Sequence, residues 1–249
     1  MKSLEIKGFI EASFCDWDGK ISAVTFLPGC NLRCPFCQNG DLVLRHEKIP
    51  PVDFLLVRAY LARNKEWIDG VVVTGGEPTI WDELPRFLAS IKALGLGVKL
   101  DTNGTRPEML QSLIDQGLVD YIAMDVKAPL DGRYETAAGV AVDLDALRSS
   151  IAILSSSSLG DSYEFRTTLV PGLVGEDEVV GIAGSIEGAR RYVLQQFIPE
   201  NSLAPDLRGA LPYNDDFVSH LVERARTHVR FCFFRGKTRT VLSSRGGLV

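Results

Sequence analysis

From residue 21 to residue 197, short β-branched apolar runs alternate with longer stretches of helical spacing, strand then helix, six times over. No other feature restricts the fold as much. The run 21–27 alternates and stops at Pro28-Gly29, so it reads as a strand. Residues 51–64 place apolar side chains at helical spacing, and Gly70-Val71-Val72-Val73-Thr74 reads as a strand buried on both faces. A helix over 82–94, a strand at 98–100, a helix after Pro107, a strand at 121–125 and a helix over 143–154 follow. A strand at 163–169, a helix around 176–186 and a strand at 192–197 complete the series. Such alternation implies a parallel sheet with right-handed crossovers. The expected fold is α/β, a partial (β/α)6 TIM-like barrel with its chemistry at the C-terminal strand ends. All 249 residues are read as one domain, with a core over about 20–200 and a C-terminal helix and tail over 201–249. Ser155–158 reads as a loop, and the tail with Lys237, Arg239 and Arg245 as a surface segment.

The first of these strands leads into Gly29-Cys30-Asn31-Leu32-Arg33-Cys34-Pro35-Phe36-Cys37. Cys30, Cys34 and Cys37 are three thiols with no fourth nearby. A closed zinc site wants four protein ligands, and Fe–S electron carriers also use four cysteines. Three thiolates hold three irons of a cubane and leave one iron open to a ligand. The other two cysteines, Cys15 and Cys232, are isolated in sequence and default to ordinary thiols, although Cys15 is expected near the barrel mouth. An odd count with three clustered points to metal in a reducing cytoplasm rather than to disulfides.

Polar residues stand at one end of every strand, as a single polar cleft requires. They occur in Gly75-Gly76-Glu77-Pro78, Asp101-Thr102-Asn103-Gly104, Asp125-Val126-Lys127 and Glu164-Phe165-Arg166, and at Gln195-Gln196. Each has a plainer reading. The glycines could make a turn beside a solvated glutamate, Asp125 and Lys127 could form an ion pair that closes the barrel end, and Arg166 could pair with Glu164 or another acid. His46, His220 and His228 form no cluster and read as surface residues.

The Cys-x-x-x-Cys-x-x-Cys spacing resembles the signature of radical S-adenosylmethionine (SAM) enzymes, and Gly75-Gly76-Glu77-Pro78 resembles a second motif of that superfamily. The resemblance implies that Cys30, Cys34 and Cys37 bind a 4Fe–4S cluster whose open iron is chelated by SAM. It implies that Gly75, Gly76, Glu77 and Pro78 receive the SAM ammonium and that Phe36 meets the adenine. Asp101, Thr102 and Asp125 resemble a monovalent-cation site of glycyl-radical enzyme activases, in which Lys127 contacts SAM; Arg166 would hold a SAM or substrate carboxylate. Oxygen ligands suit a hard cation, and a lysine offsets a carboxylate.

Longer runs extend the likeness to anaerobic ribonucleoside-triphosphate reductase activating proteins. They include Asp16-Trp17-Asp18-Gly19-Lys20-Ile21, Lys99-Leu100-Asp101-Thr102-Asn103-Gly104 and Tyr192-Val193-Leu194-Gln195-Gln196-Phe197. Gln38, where that family usually has histidine, and Asp18, where it usually has proline, depart from the pattern. The implied reaction is reductive cleavage of SAM to methionine and a 5′-deoxyadenosyl radical, which takes hydrogen from a glycine Cα of a partner reductase. A flavodoxin or ferredoxin-type protein would supply the electron.

Two other readings stay open at this point. One is a radical SAM enzyme acting on a small molecule, similar to 7-carboxy-7-deazaguanine synthase, or an activase of a different glycyl-radical enzyme. The other is a non-enzymatic metal-binding protein. The formal charge of −5 argues against a nucleic-acid binder. No apolar run approaches the roughly 18 residues of a membrane span, and the start lacks the apolar segment of a signal peptide. A cytoplasmic location is therefore expected.

Overall fold

The computed structural model describes residues 4–236 and 240–241, so the tail with Lys237, Arg239 and Arg245 lies outside the described residues. Nine strands form one sheet in sequence order. They are β1 (Gly8–Ser13), β2 (Ser22–Leu27), β3 (Gly70–Gly75), β4 (Gly97–Thr102), β5 (Tyr121–Asp125), β6 (Tyr163–Leu169), β7 (Arg191–Gln196), β8 (Phe231–Arg235) and β9 (Thr240–Val241). Strands β2 to β8 are parallel neighbours, while β1 and β9 pair antiparallel at the two ends.

Helices α2 (Phe54–Asn64), α3 (Leu84–Lys92), α4 (Pro107–Asp115), α6 (Leu144–Ser156), α7 (Glu176–Ser185) and α8 (Asp215–Ala225) link the successive parallel strands, and short helices α1 (Gly40–Leu44) and α5 (Arg133–Ala138) lie in connections. Asp53 and Asp143 cap α2 and α6 by accepting backbone N–H bonds, which fixes both starts. The expected partial barrel is thus present. It extends past residues 20–200 at both ends through β1 and β8. Helix α6 also continues through Ser156, two residues into the serine run read as loop.

The two faces of the sheet bury different things. Val71 and Val73 of β3, Leu100 of β4 and Phe165 of β6 join helix residues such as Leu61, Leu88, Leu113 and Ile182 in the outer core. Alternate residues point inward, where Val24, Val72 and Trp17 form a small separate cluster flanked by Phe26 and Tyr121. The Trp17 indole closes the floor of the barrel. A Cβ on Gly70 would stand 2.6 Å from its ring, so only glycine fits there.

Asp18, on the same turn, accepts a 2.8 Å bond from Arg235 of β8, whose guanidinium also holds Glu164. The departure at Asp18 therefore ties the first turn of the sheet to its penultimate strand. Cys15 belongs to this β1–β2 turn as well. Because Ser13 pairs with Ser22 at the start of β2, whereas the cysteine loop leaves at Leu27, Cys15 lies at the end of the sheet opposite the expected mouth, which corrects its expected placement.

Candidate active site

The cysteine loop emerges from β2 through Gly29, whose φ of 73° favours glycine. It is tied down from several directions. The Gly29 N–H donates to Leu42, the Arg33 N–H to Ala138 at the end of α5, and the Ala204 N–H to Pro35, each at 2.8 Å, while the Trp81 indole donates to Pro28. Gly139 packs against the loop from below: a Cβ there would stand 2.2 Å from the Arg33 carbonyl oxygen. The hold from α5 was not visible in the sequence, since a six-residue helix leaves almost no periodic signal.

Cys34 is buried, and Cys30 and Cys37 are half-buried. Burial pushes the Cys34 thiol up to about 11 and raises Cys30; the Lys127 ammonium opposes both shifts, and Cys30 and Cys37 themselves raise Cys34. Cys30 and Cys34 therefore each feel a neighbouring thiol and one nearby cation. Among the described residues no three acidic, histidine or cysteine side chains close tightly around a single ion. A cubane binds each thiolate at a different corner and spaces them more widely than one ion does. Soft thiol donors from one loop, with backbone N–H support from Leu32 to Cys30 at 3.3 Å, fit an iron–sulfur cluster. Phe36 is buried in the outer core with the loop.

The glycine motif continues directly from β3. Gly76 and Glu77 donate backbone N–H bonds to Leu27 and Gly29, both 2.8 Å, and Asn39 donates to the Gly75 carbonyl. A Cβ on Gly76 would stand 1.7 Å from the Gly29 oxygen, so the motif and the cysteine loop touch backbone to backbone. Glu77 is 1 % exposed. Its carboxylate accepts from the Thr79 N–H and hydroxyl, from the Thr102 hydroxyl and from the Asn103 N–H. All four donors belong to the chain, so Glu77 welds two strand ends together. Burial raises its pKa despite these donors. Pro78 is buried beside it.

Asp101, Asp125, Lys127 and Arg166 do converge. Arg166 donates to Asp125 at 2.7 Å and to Asp101 at 3.0 Å; Lys127 donates to Asp125 at 2.9 Å, and Lys99 stands 3.5 Å from Asp101. Charges alternate along this chain, from Lys99 through Asp101, Arg166 and Asp125 to Lys127, and leave one surplus positive charge beside the cysteines. Although burial opposes ionisation, Arg166 and Lys127 hold the Asp125 carboxyl down to about 2; Asp125 and Cys34 likewise keep the Lys127 ammonium charged.

Arg166 pairs with acids other than Glu164, the two aspartates, as its plainer reading allowed, while Arg235 and Tyr121 engage Glu164. One expectation changes. The three oxygens expected around a cation do not meet: Thr102 alternates with Asp101 on β4 and gives its hydroxyl to Glu77, while Arg166 occupies the space between the two aspartates. The histidines stay outside the site, and His220 pairs with Glu176 on the surface.

The radical SAM superfamily model matches residues 24–180, which include every site residue named above up to Arg166. A Methanocaldococcus jannaschii protein named as a putative glycyl-radical enzyme activating enzyme is 34% identical over 212 residues, covering 81% of this chain and 83% of its own. The 7-carboxy-7-deazaguanine synthase of Neisseria meningitidis is 33% identical over 120 residues, 48% of this chain and 50% of its own. The crystal structure of QueE from Escherichia coli superposes with a TM-score of 0.53 at 15% identity, covering 93% of each chain, a likeness of fold. No helix among the described residues is long and apolar enough to cross a membrane. The chain belongs to the radical SAM superfamily, and with it to enzymes that run radical chemistry from a 4Fe–4S cluster and SAM.

Proposed function

We propose that this enzyme activates a glycyl-radical enzyme, with anaerobic ribonucleotide reductase as the partner and a flavodoxin or ferredoxin-type protein as electron donor. One observation carries the reading: an activating-enzyme relative aligns over more than four-fifths of both chains, whereas the deazaguanine synthase relative aligns over about half of each.

In this reading Cys30, Cys34 and Cys37 hold the cluster. Together, cluster and SAM supply the one-electron chemistry that generates a radical able to take hydrogen from a strong C–H bond. The chain itself binds and orients. Lys127 and the surplus positive charge behind it attract the SAM carboxylate. The Gly75-Gly76 backbone, held against Gly29, presents the Gly76 carbonyl oxygen to the ammonium, with the Gly75 carbonyl already engaged by Asn39, and Glu77 and Pro78 fix that backbone. Asp101, Asp125 and Arg166 keep Lys127 aimed at the cysteines. No side chain is required as a proton donor or acceptor.

The 33% identity to a deazaguanine synthase favours a second reading, a small heterocyclic substrate. Anaerobically reconstituted protein mixed with SAM, a reductant and the reductase should develop the doublet electron paramagnetic resonance (EPR) signal of a glycyl radical. Formation of 7-carboxy-7-deazaguanine from a synthase substrate, with no glycyl signal, would establish the second reading instead.

A further inference from the structure

Asn103, at the end of β4, is only 5% exposed and sits where the two motif loops meet. Its backbone N–H is committed to Glu77. Its side-chain oxygen accepts from the Thr105 N–H at 3.0 Å and from the Thr105 hydroxyl at 2.7 Å. A backbone N–H can only donate, so the amide oxygen must face Thr105 and the nitrogen must face the other way. That nitrogen donates to the Asn31 side-chain oxygen at 2.9 Å and lies 3.9 Å from the Cys30 sulfur. Asn31 completes a ring by donating to the Thr105 hydroxyl at 2.7 Å. The Asn103 and Thr105 donors in the ring are spoken for, and the Asn103 amide is left one orientation.

Among the described residues, the hydrogen bonds to a loop sulfur converge on Cys30, from the Leu32 N–H and from Asn103. An N–H aimed at a ligating sulfur stabilises the more electron-rich state of a cluster and raises its reduction potential. We propose that Asn103 is a positioning residue that sets the potential of the cluster through the Cys30 corner, its amide held in the donating orientation by Thr105 and Asn31. Removing the amide makes the cluster harder to reduce, quite apart from any effect on SAM.

The proposal rests on Cys30 being a cluster ligand, and the test separates the two. Wild type, Asn103→Ala and Asn103→Asp are reconstituted anaerobically without SAM, and the reduced-cluster EPR signal is titrated against potential. Both variants should titrate at more negative potential than wild type, Asn103→Asp further than Asn103→Ala because a carboxylate adds charge of the wrong sign. Variants that carry a full cluster and titrate with wild type overturn the role of Asn103 alone. A wild type that takes up no cluster overturns the ligand assignment and this proposal with it. If both of these variants shed iron, Asn103→Ser answers the question, since its short hydroxyl keeps a polar group at the end of β4 but does not reach the Cys30 sulfur, which the longer amide meets only at 3.9 Å. A negative shift there supports the proposal, and a wild-type potential overturns it.

Discussion

The Arg166 guanidinium lies 2.7 Å from the Asp125 carboxylate and bridges it to Asp101, 3.0 Å away on its other side. Removing it would leave two half-buried carboxylates facing each other with Lys99 and Lys127 at the flanks. Breaking a fully buried pair from one side costs about 3–5 kcal/mol, so for these partly exposed carboxylates Arg166→Met should lower the melting temperature by a smaller but measurable amount. Acid should act on the same contact. The Asp125 carboxyl is held at about 2 against an ordinary 3.8, so its contribution is full above about pH 4 and is lost as the pH falls towards 2. Asp125→Asn should flatten that part of the stability-against-pH curve in denaturant titrations. An unchanged acid limb would mean that the contact adds nothing to folding.

Lys127 faces the cysteines as well as Asp125, and this separates a binding role from a structural one. As a binder, it makes a charge-assisted contact with SAM worth roughly 1.5–3 kcal/mol, or about one to two decades in Kd. Lys127→Ala should weaken SAM binding by that factor in equilibrium titration, with a smaller fall in the melting temperature. A lower melting temperature with unchanged SAM affinity would reduce Lys127 to an ion-pair partner.

Strands β2 to β7 and the long helices were legible because apolar spacing alone encodes them, whereas β8 fell in the stretch read as helix and tail. Val71-Val72-Val73 reads as a doubly buried strand, and Val72 does enter the barrel while its neighbours face the helices. Strand β1 was not legible, since Ile10 and Glu11 are both exposed at the sheet edge and the alternation fails. The site was legible as residue types. Its wiring was not, because partners such as Glu77 with Asn103, or Arg33 with Ala138, are far apart in sequence and meet only through the topology. That is also why Thr102 and Asp101, adjacent in the chain, could be grouped in one cation site although a strand sends them to opposite faces.

Gly139 and Gly160 offer a matched comparison. Both are left-handed, at φ 70° and 58°, but a Cβ on Gly160 meets nothing within 4 Å whereas one on Gly139 strikes the Arg33 carbonyl. Gly160→Ala should carry the strain alone, about 1–2 kcal/mol. Gly139→Ala should cost more in denaturant titration and also lower the iron bound after reconstitution, because it pushes the cysteine loop out of place. Equal iron content in the two variants would show that the α5 contact does not position the ligands.

The five cysteines divide into two groups by burial and partners. Cys30, Cys34 and Cys37 share one loop, and losing any one leaves two thiolates to hold a cubane. Each Cys→Ala variant should therefore stay folded by circular dichroism but lose most of its iron, the visible absorbance of the cluster and reductive SAM cleavage. Cys232 is 1% exposed in the outer core, where burial pushes its thiol up to about 12; it behaves as a small apolar side chain. Cys232→Ser places a hydroxyl there, at about 1–3 kcal/mol if unpaired, and should lower the melting temperature while leaving the iron content at wild-type level. Cys15, exposed at the far end of the barrel, should change neither when replaced by alanine. Iron content that followed Cys15 or Cys232 rather than the loop cysteines would overturn the ligand set.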